Sequence, residues 1–252
     1  MKKLFFCVAV YFFMLNPLCA EMTPNDISYY TEEYPPYNFS DNGVASGFAT
    51  EILLQMFNKL NINKTEKDIR LVPWARGYND VQRKSNVCLF TMTKTAERVK
   101  EHGFRWVGPI INTGTVLFGK KSKNLKINSM EDVKKYKVCA IREDVAEQTI
   151  VNMGYPFDNV DRTANPISIA NKILKDRCQL WPYGEIATKW ILKKNGFNAD
   201  DFEVVYQLTD KDSMYFAFNK RTPDSVIVPL QKAFDELKAQ GVVDKIISKY
   251  LK

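Results

Sequence analysis

The sequence predicts an α/β protein of two lobes, each a mostly parallel sheet flanked by helices, joined by two strands that cross between them. Three observations point there. Short apolar strand patterns alternate with helical ones from Ile27 to Thr91, the order that builds parallel sheets. The alternation then restarts at Lys137 and runs to Asn195. Two β-rich stretches, 107–119 and 204–218, link the halves.

The elements follow in order. Residues 27–31 read as a strand. Residues 50–60 carry Ile52, Leu53, Met56, Phe57 and Leu60 at helical spacing. A strand at 69–72, a short helix at 77–84 and a strand at 87–91 complete the first half. In the second half a strand at 137–141 precedes a helix at 144–153. A weak strand at 159–160, a helix at 168–175 and a strand at 178–181 come next. A helix at 185–195 is closed by Gly196, a left-handed cap signal. Two amphipathic helices, 224–240 and 242–251, are split by Gly241. Val226, Leu230, Phe234 and Leu237 form the apolar stripe of the first. Nothing after them completes a third domain, so they are expected to pack back on the first half. The expected lobes are 21–112 with 213–252, and 113–212. A ligand site then belongs in the cleft where strand ends and helix starts converge.

The N-terminus reads as a signal peptide, 1–20. Lys2 and Lys3 precede an apolar run from Leu4 to Leu15, and Ala20 supplies the small residue before the cut. Twelve apolar residues are too few for a helix across a bilayer core of about 30 Å. The chain is therefore expected to be exported to the periplasm. Its net charge of +7 comes from scattered lysines and arginines. Without clustered basic residues interleaved with aromatics, a nucleic-acid partner is not expected. Beyond the signal peptide lie Cys88, Cys139 and Cys178. An odd count forbids full pairing. Buried free thiols are the expectation, with a Cys139–Cys178 bridge as the alternative in an oxidising compartment.

The stretch "CLFTMTKTAERVK" ends an apolar strand in Thr91, Thr93 and Thr95, with Arg98 three residues on. Alternate residues of a strand face one way. Two hydroxyls at the lip of the cleft, followed by a guanidinium, suit a planar anion, because arginine offers carboxylate a two-pronged fork. The residues alone leave a second reading equally open: the threonines cap the next helix and Arg98 pairs with Glu97 or Glu101.

At these residues the chain resembles a known family. "EEYPPYNF" (32–39), "SGFATEIL" (46–53), "TMTKTAER" (91–98) and "FRWVGPI" (104–110) are similar to segments of the bacterial periplasmic solute-binding proteins of the amino-acid-binding type, family 3. The resemblance covers nearly all of the mature chain. It implies the type II periplasmic-binding-protein fold, with the two crossing strands as a hinge. It implies that Arg98 grips a ligand carboxylate, with Thr91 and Thr93 beside it, and that Tyr34 and Trp74 lie against the ligand. Arg76, two residues after Trp74, is a candidate second cation. The implied partners are a small carboxylate-bearing solute and an ABC permease or membrane sensor, with the receptor a monomer and no cofactor.

The second lobe departs from the family pattern. Where amino-acid receptors place a carboxylate for the ligand ammonium, "WPYGEIA" has Gly184, with Glu185 next. Where they often have Gly-Thr or Gly-Ser, "IREDVAEQ" has Glu143 and Asp144. Acids suit a helix N-terminus but not an arriving anion. Asp144 therefore reads first as a structural cap and, as the alternative, as a contact to a cationic ligand group; Glu185 is the candidate acid one residue past the family place, and Tyr183 and Trp181 are candidates to line the cleft. An enzyme on the same fold, of dehydratase or lytic transglycosylase type, would need an acid/base carboxylate in the cleft. Glu185 or Glu143 are the candidates for it. The single histidine, His102, reads as a surface residue, and no nucleophile elbow, phosphate loop or metal-ligand cluster occurs.

Overall fold

The computed structural model describes residues 21–251, apart from the side chains of 210 and 211. The expected signal peptide, 1–20, lies outside the described residues. Among the described residues no helix is long and apolar enough to cross a membrane.

The first half runs β1 (Ser28–Thr31), β2 (Phe39–Asp41), β3 (Val44–Ser46), α1 (Phe48–Lys59), β4 (Arg70–Leu71), α2 (Trp74–Arg83) and β5 (Val87–Thr93). The first crossing strand, β6 (Arg105–Lys120), leads into α3 (Met130–Val133). The second half follows as β7 (Val138–Ile141), α4 (Val145–Asn152), β8 (Val160–Thr163), α5 (Pro166–Leu174), β9 (Leu180–Gly184) and α6 (Glu185–Lys194). The second crossing strand, β10 (Phe202–Phe218), returns the chain to α7 (Asp224–Ala239) and α8 (Val242–Leu251). Gly241, between those helices, has φ +72° and makes the break that the sequence predicts.

One eight-stranded sheet holds both lobes, in the order β4-β1-β5-β10-β6-β9-β7-β8. At one end β1 pairs in parallel with β4 and β5, and at the other β7 pairs in parallel with β8 and β9. Between them β6 and β10 run antiparallel to each other. The later part of β10 borders β5, while the later part of β6 borders β9. The register of β6 against β10 slips between Thr209 and Asp212, opposite Thr115 and Thr113. Side chains hold the slip: Thr115 N–H donates to Thr209 Oγ1 at 3.1 Å, and Gln207 Nε2 donates to the Thr115 carbonyl at 3.3 Å.

The strands are apolar throughout because both faces of the sheet are covered. In β7 the pleat divides the residues: Val138 and Ala140 pack with Ile150 and Tyr155, while Cys139 and Ile141 face the cluster containing Ile169 and Trp181. The C-terminal helices return to the first half as expected. Both α7 and α8 pack on α1, and Lys59–Glu236 (2.7 Å) and Lys249–Glu51 (2.9 Å) tie them at the surface.

The thiols correct the sequence expectation. Cys88 is free and buried, but Cys139 and Cys178 form a disulfide. Cys139 lies on β7 and Cys178 just before its neighbour β9. Their Cα atoms stand 5.9 Å apart, a separation that a bridge spans without moving backbone. Separate runs in the sequence hid this adjacency, which the sheet order creates. The bridge spans 39 residues of sequence, a loop whose closure stabilises by about 4 kcal/mol through chain entropy. Full reduction is expected to lower the melting temperature by about 10 °C. Melts with and without reductant, with thiol counts on each sample, check this, and an unchanged midpoint after complete reduction would refute it.

Candidate ligand site between the lobes

The residues of the site lie at, or soon after, the C-terminal ends of parallel strands. After β1 the chain turns through Glu32–Asn38, where Tyr34 and Asn38 bridge across the turn. Asn38 Nδ2 donates to the Glu32 carbonyl at 2.7 Å and fixes it. Tyr34 stacks on Tyr37, with centroids 4.7 Å apart and planes at 10°.

At the end of β5 the alternation rule fails. Thr91 has φ +62°, and the register against β10 slips beside it, so Thr91 is the extra residue of a bulge. Its hydroxyl donates to the neighbouring Phe90 carbonyl at 2.6 Å. Thr91 and Thr93 are both buried but do not share one pleat. Thr95 does cap: its Oγ1 accepts from Arg98 N–H at 3.1 Å.

Arg98 opens one turn of π-helix and points inward, 1% exposed. It pairs with neither Glu97 nor Glu101. Its Nη1 donates to the Thr93 carbonyl at 3.0 Å. The guanidinium carbon lies 5.3 Å from the Trp74 ring centre and 5.0 Å from that of Tyr78, within cation–π range of both. Trp74 and Tyr78 are stacked, one helical turn apart on α2. Nε and Nη2 of Arg98 are buried with no hydrogen-bond partner among the described residues.

The second lobe closes directly on these groups. Trp74 Nε1 donates to the Glu143 carbonyl at 2.7 Å. The Tyr34 ring meets that of Tyr183 edge-on at 5.1 Å, and Phe39 meets Trp190 at the same distance. Asn152 Nδ2 donates to Glu97 at 2.8 Å on the other side. Gly184 gives room to Tyr34: a Cβ at residue 184 would overlap the Tyr34 hydroxyl. Beside Gly184, where the resemblance leads one to expect a carboxylate, the space is filled by a phenol from the opposite lobe.

The paired acids of "IREDVAEQ" take different roles. Glu143 has φ +61° and turns its carboxylate to Arg162, 2.8 Å away, where Glu147 also binds. Asp144 caps α4, its Oδ1 accepting from Ala146 N–H at 2.9 Å. Burial pushes the Asp144 carboxyl up to about 6, against the pull of the Ala146 N–H and of Arg98. Glu32, which the sequence reading passed over, is 8% exposed. Burial drives its carboxyl well above the usual range, Asp144 adds to the rise, and Arg98 opposes it. A buried cation therefore shares the cleft with two buried carboxyls, Glu32 from its own half and Asp144 from the other.

Two candidates do not join this group. Arg76 is exposed on α2, and its side chain makes no hydrogen bond or ion pair among the described residues. The helix begins at Trp74, so a residue two positions on lies on the far side of the cylinder. Glu185 turns outward to Lys189 at 2.6 Å, its side chain 45% exposed. With Glu143 held by Arg162, neither acid considered for an enzymatic role stands free in the cleft. His102 is half-buried against Tyr78 and Phe104 rather than on the surface. The one grouping with metal-ligand types among the described residues is Cys139, Asp161 and Cys178, and both its sulfurs are engaged in the disulfide. Tyr78 was the residue most open to sequence reasoning, standing four positions from Trp74 on one helix face.

Beside Trp74 a chamber of about 540 Å³ opens between the lobes, walled by Phe39, Val72, Trp74, Pro166, Tyr183 and Trp190, with Glu32 also lining it. Arg98 is not on its wall.

Two lobes on shared crossing strands, with an aromatic and charged cleft between them, define a two-lobe solute-binding protein. The chain belongs to the bacterial extracellular solute-binding proteins, family 3, whose pattern matches residues 27–252. Solved structures share the fold. A histidine kinase sensor domain similar to periplasmic binding proteins is 15% identical, with 89% of this chain and 96% of that one covered and a TM-score of 0.77. An ancestral arginine-binding protein bound to arginine is 21% identical, covering 90% and 99%, TM-score 0.76. ArtJ of Geobacillus stearothermophilus, an arginine-, lysine- and histidine-binding protein, is 12% identical, covering 88% and 94%, TM-score 0.75. No curated protein matches in sequence.

The raised Asp144 pKa sets a pH dependence. An ordinary aspartate titrates near 3.9, so the stability that Asp144 contributes as a neutral buried acid is complete below about pH 4. It is lost as pH rises through about 6. Relative to Asp144→Asn, which keeps the cap, the ligand-free wild type should lose about 3 kcal/mol between pH 4 and pH 7. Parallel denaturant curves at several pH values measure this. Coincident pH profiles for the two proteins would refute it.

Proposed function

We propose that the protein is a periplasmic receptor that captures a small carboxylate-bearing polar solute between its lobes, 21–112 with 213–252 and 113–212. Arg98 carries the reading. Its Nε and Nη2 form the side-on fork that carboxylate fits, and both are buried without a partner among the described residues. Leaving such donors unsatisfied costs free energy that a ligand carboxylate would recover. Thr93 orients the guanidinium through its carbonyl, Thr91 shapes the strand end as a bulge, and Trp74 covers the cation. Tyr34, Tyr183 and Asp144 complete the enclosure, with Asp144 the acid nearest a cationic ligand group. Arg76 and Glu185 have no part in it.

Capture shifts the receptor to the closed form because the solute touches both lobes only there. Delivery of the solute to an ABC importer by a monomeric receptor, after removal of 1–20, is the use we infer. Arginine-binding proteins share the fold, which puts amino acids first among solutes to try. The same capture step would serve a membrane sensor, and a histidine kinase sensor domain shares the fold as well. The membrane protein that co-purifies with the loaded receptor separates the two.

Calorimetry against amino acids, amines and small acids tests the capture. Arg98→Ala should weaken the carboxylate ligand by about 100-fold or more, two charged hydrogen bonds being lost. Arg98→Lys should also bind poorly, since an ammonium cannot make the fork. Equal affinity in Arg98→Ala would overturn the reading.

A further inference from the structure

The chamber beside Trp74 has a chemistry of its own. Its walls are rings and branched chains from both lobes, with Phe39 and Trp190 in contact at its outer end. Its charged lining is three acids, Glu32, Glu33 and Asp41, against one lysine, Lys194. Lys194 is turned to the Trp190 ring, its Nζ 5.9 Å from the centre. Glu33 accepts from Ser40 N–H at 2.9 Å. Glu32 differs from both. It is 8% exposed, and its carboxylate has no hydrogen bond or ion pair among the described residues.

A buried carboxylate without a partner is costly as an anion. Burial accordingly favours its protonated form. A cation that enters the chamber gains both the carboxylate and the ring faces, which attract positive charge. An anion meets an acidic lining instead. The volume exceeds what a lone ammonium needs, and the ring-lined walls suit an apolar body.

We infer that this chamber is a binding site for an organic amine with an apolar or aromatic body, its ammonium on Glu32 and its body against the Phe39–Trp190 pair. The site adjoins the carboxylate fork of Arg98 and shares Trp74 and Tyr183 with its enclosure. Trp74 separates them, its ring lining the chamber and also covering the guanidinium. Arg98 does not line the chamber, so an amine without a carboxylate can enter whether or not the fork holds an anion, although Glu32 feels the Arg98 charge.

The probes are 2-phenylethylamine and 2-phenylethanol, which share a body and differ in charge. Each is titrated into the mature chain and followed by tryptophan fluorescence and calorimetry. The wild type should bind the amine about 10-fold or more tighter than the alcohol. Glu32→Gln should erase that preference by weakening the amine alone, and Glu32→Asp should restore part of it. Trp190→Ala should weaken both probes by about 5-fold or more. Melting curves of each variant confirm folding, and the amine-to-alcohol ratio in the wild type stands whatever the variants do. No binding of the amine, no preference over the alcohol, or a preference that survives Glu32→Gln would each overturn the inference. If the amine fails while Arg98→Ala abolishes carboxylate binding, the chamber is refuted and the receptor reading stands.

Discussion

Everything in this molecule hangs on the pairing of β6 with β10. Two strands of 16 and 17 residues lie antiparallel and lend different edges to different lobes. One edge of β10 carries β5, and one edge of β6 carries β9. The parallel strands of both lobes therefore end toward the same gap. Glu32, Arg98, Asp144 and Gly184 come from four distant parts of the sequence and meet because their strands stop there. The slip at Thr113–Thr115 interrupts the backbone ladder where the two lobes divide, and side-chain bonds from Gln207 and Thr209 bridge it.

The cleft is electrostatically uneven. Arg98 is one buried cation, while Glu32 and Asp144 are two carboxyls pushed toward neutrality by burial. Glu32 reaches the cleft from the first half and Asp144 from the second, and Gly184, without a side chain, leaves room between the lobes. Tyr34 compensates by reaching across. The result is a cleft whose aromatic rings do most of the closing, with charge held beneath them. Aromatic closure is less directional than a salt bridge, and it keeps water from the guanidinium at little cost in ordering flexible chains.

Periodicity was enough to read the layers, the two crossing strands and the return of the C-terminal helices, because each rests on apolar spacing along one segment. Resemblance was enough to single out Arg98 and Trp74, which the fold buries against each other. The remainder depended on geometry that no single segment carries. Thr91 broke the two-residue alternation because a bulge opposite Tyr215 inserted it. Arg76 went astray because the helix starts three residues earlier than its sequence suggests, at Trp74. Glu185 sits at the right place in the chain but turns to Lys189, four residues on. The Cys139–Cys178 bridge needed the order of β7 and β9, and Glu32 looked like any surface acid until the second lobe covered it.

Gly184 has a consequence for how the two lobes meet. Tyr34 and Gly184 belong to opposite lobes, and the hydroxyl rests where a Cβ would be. A methyl group there would meet the phenol, and the Tyr34 side chain would have to turn aside for the lobes to keep this contact. Shape alone at this one position then sets how closely Tyr34 can seat against the second lobe, leaving every charge in the cleft in place.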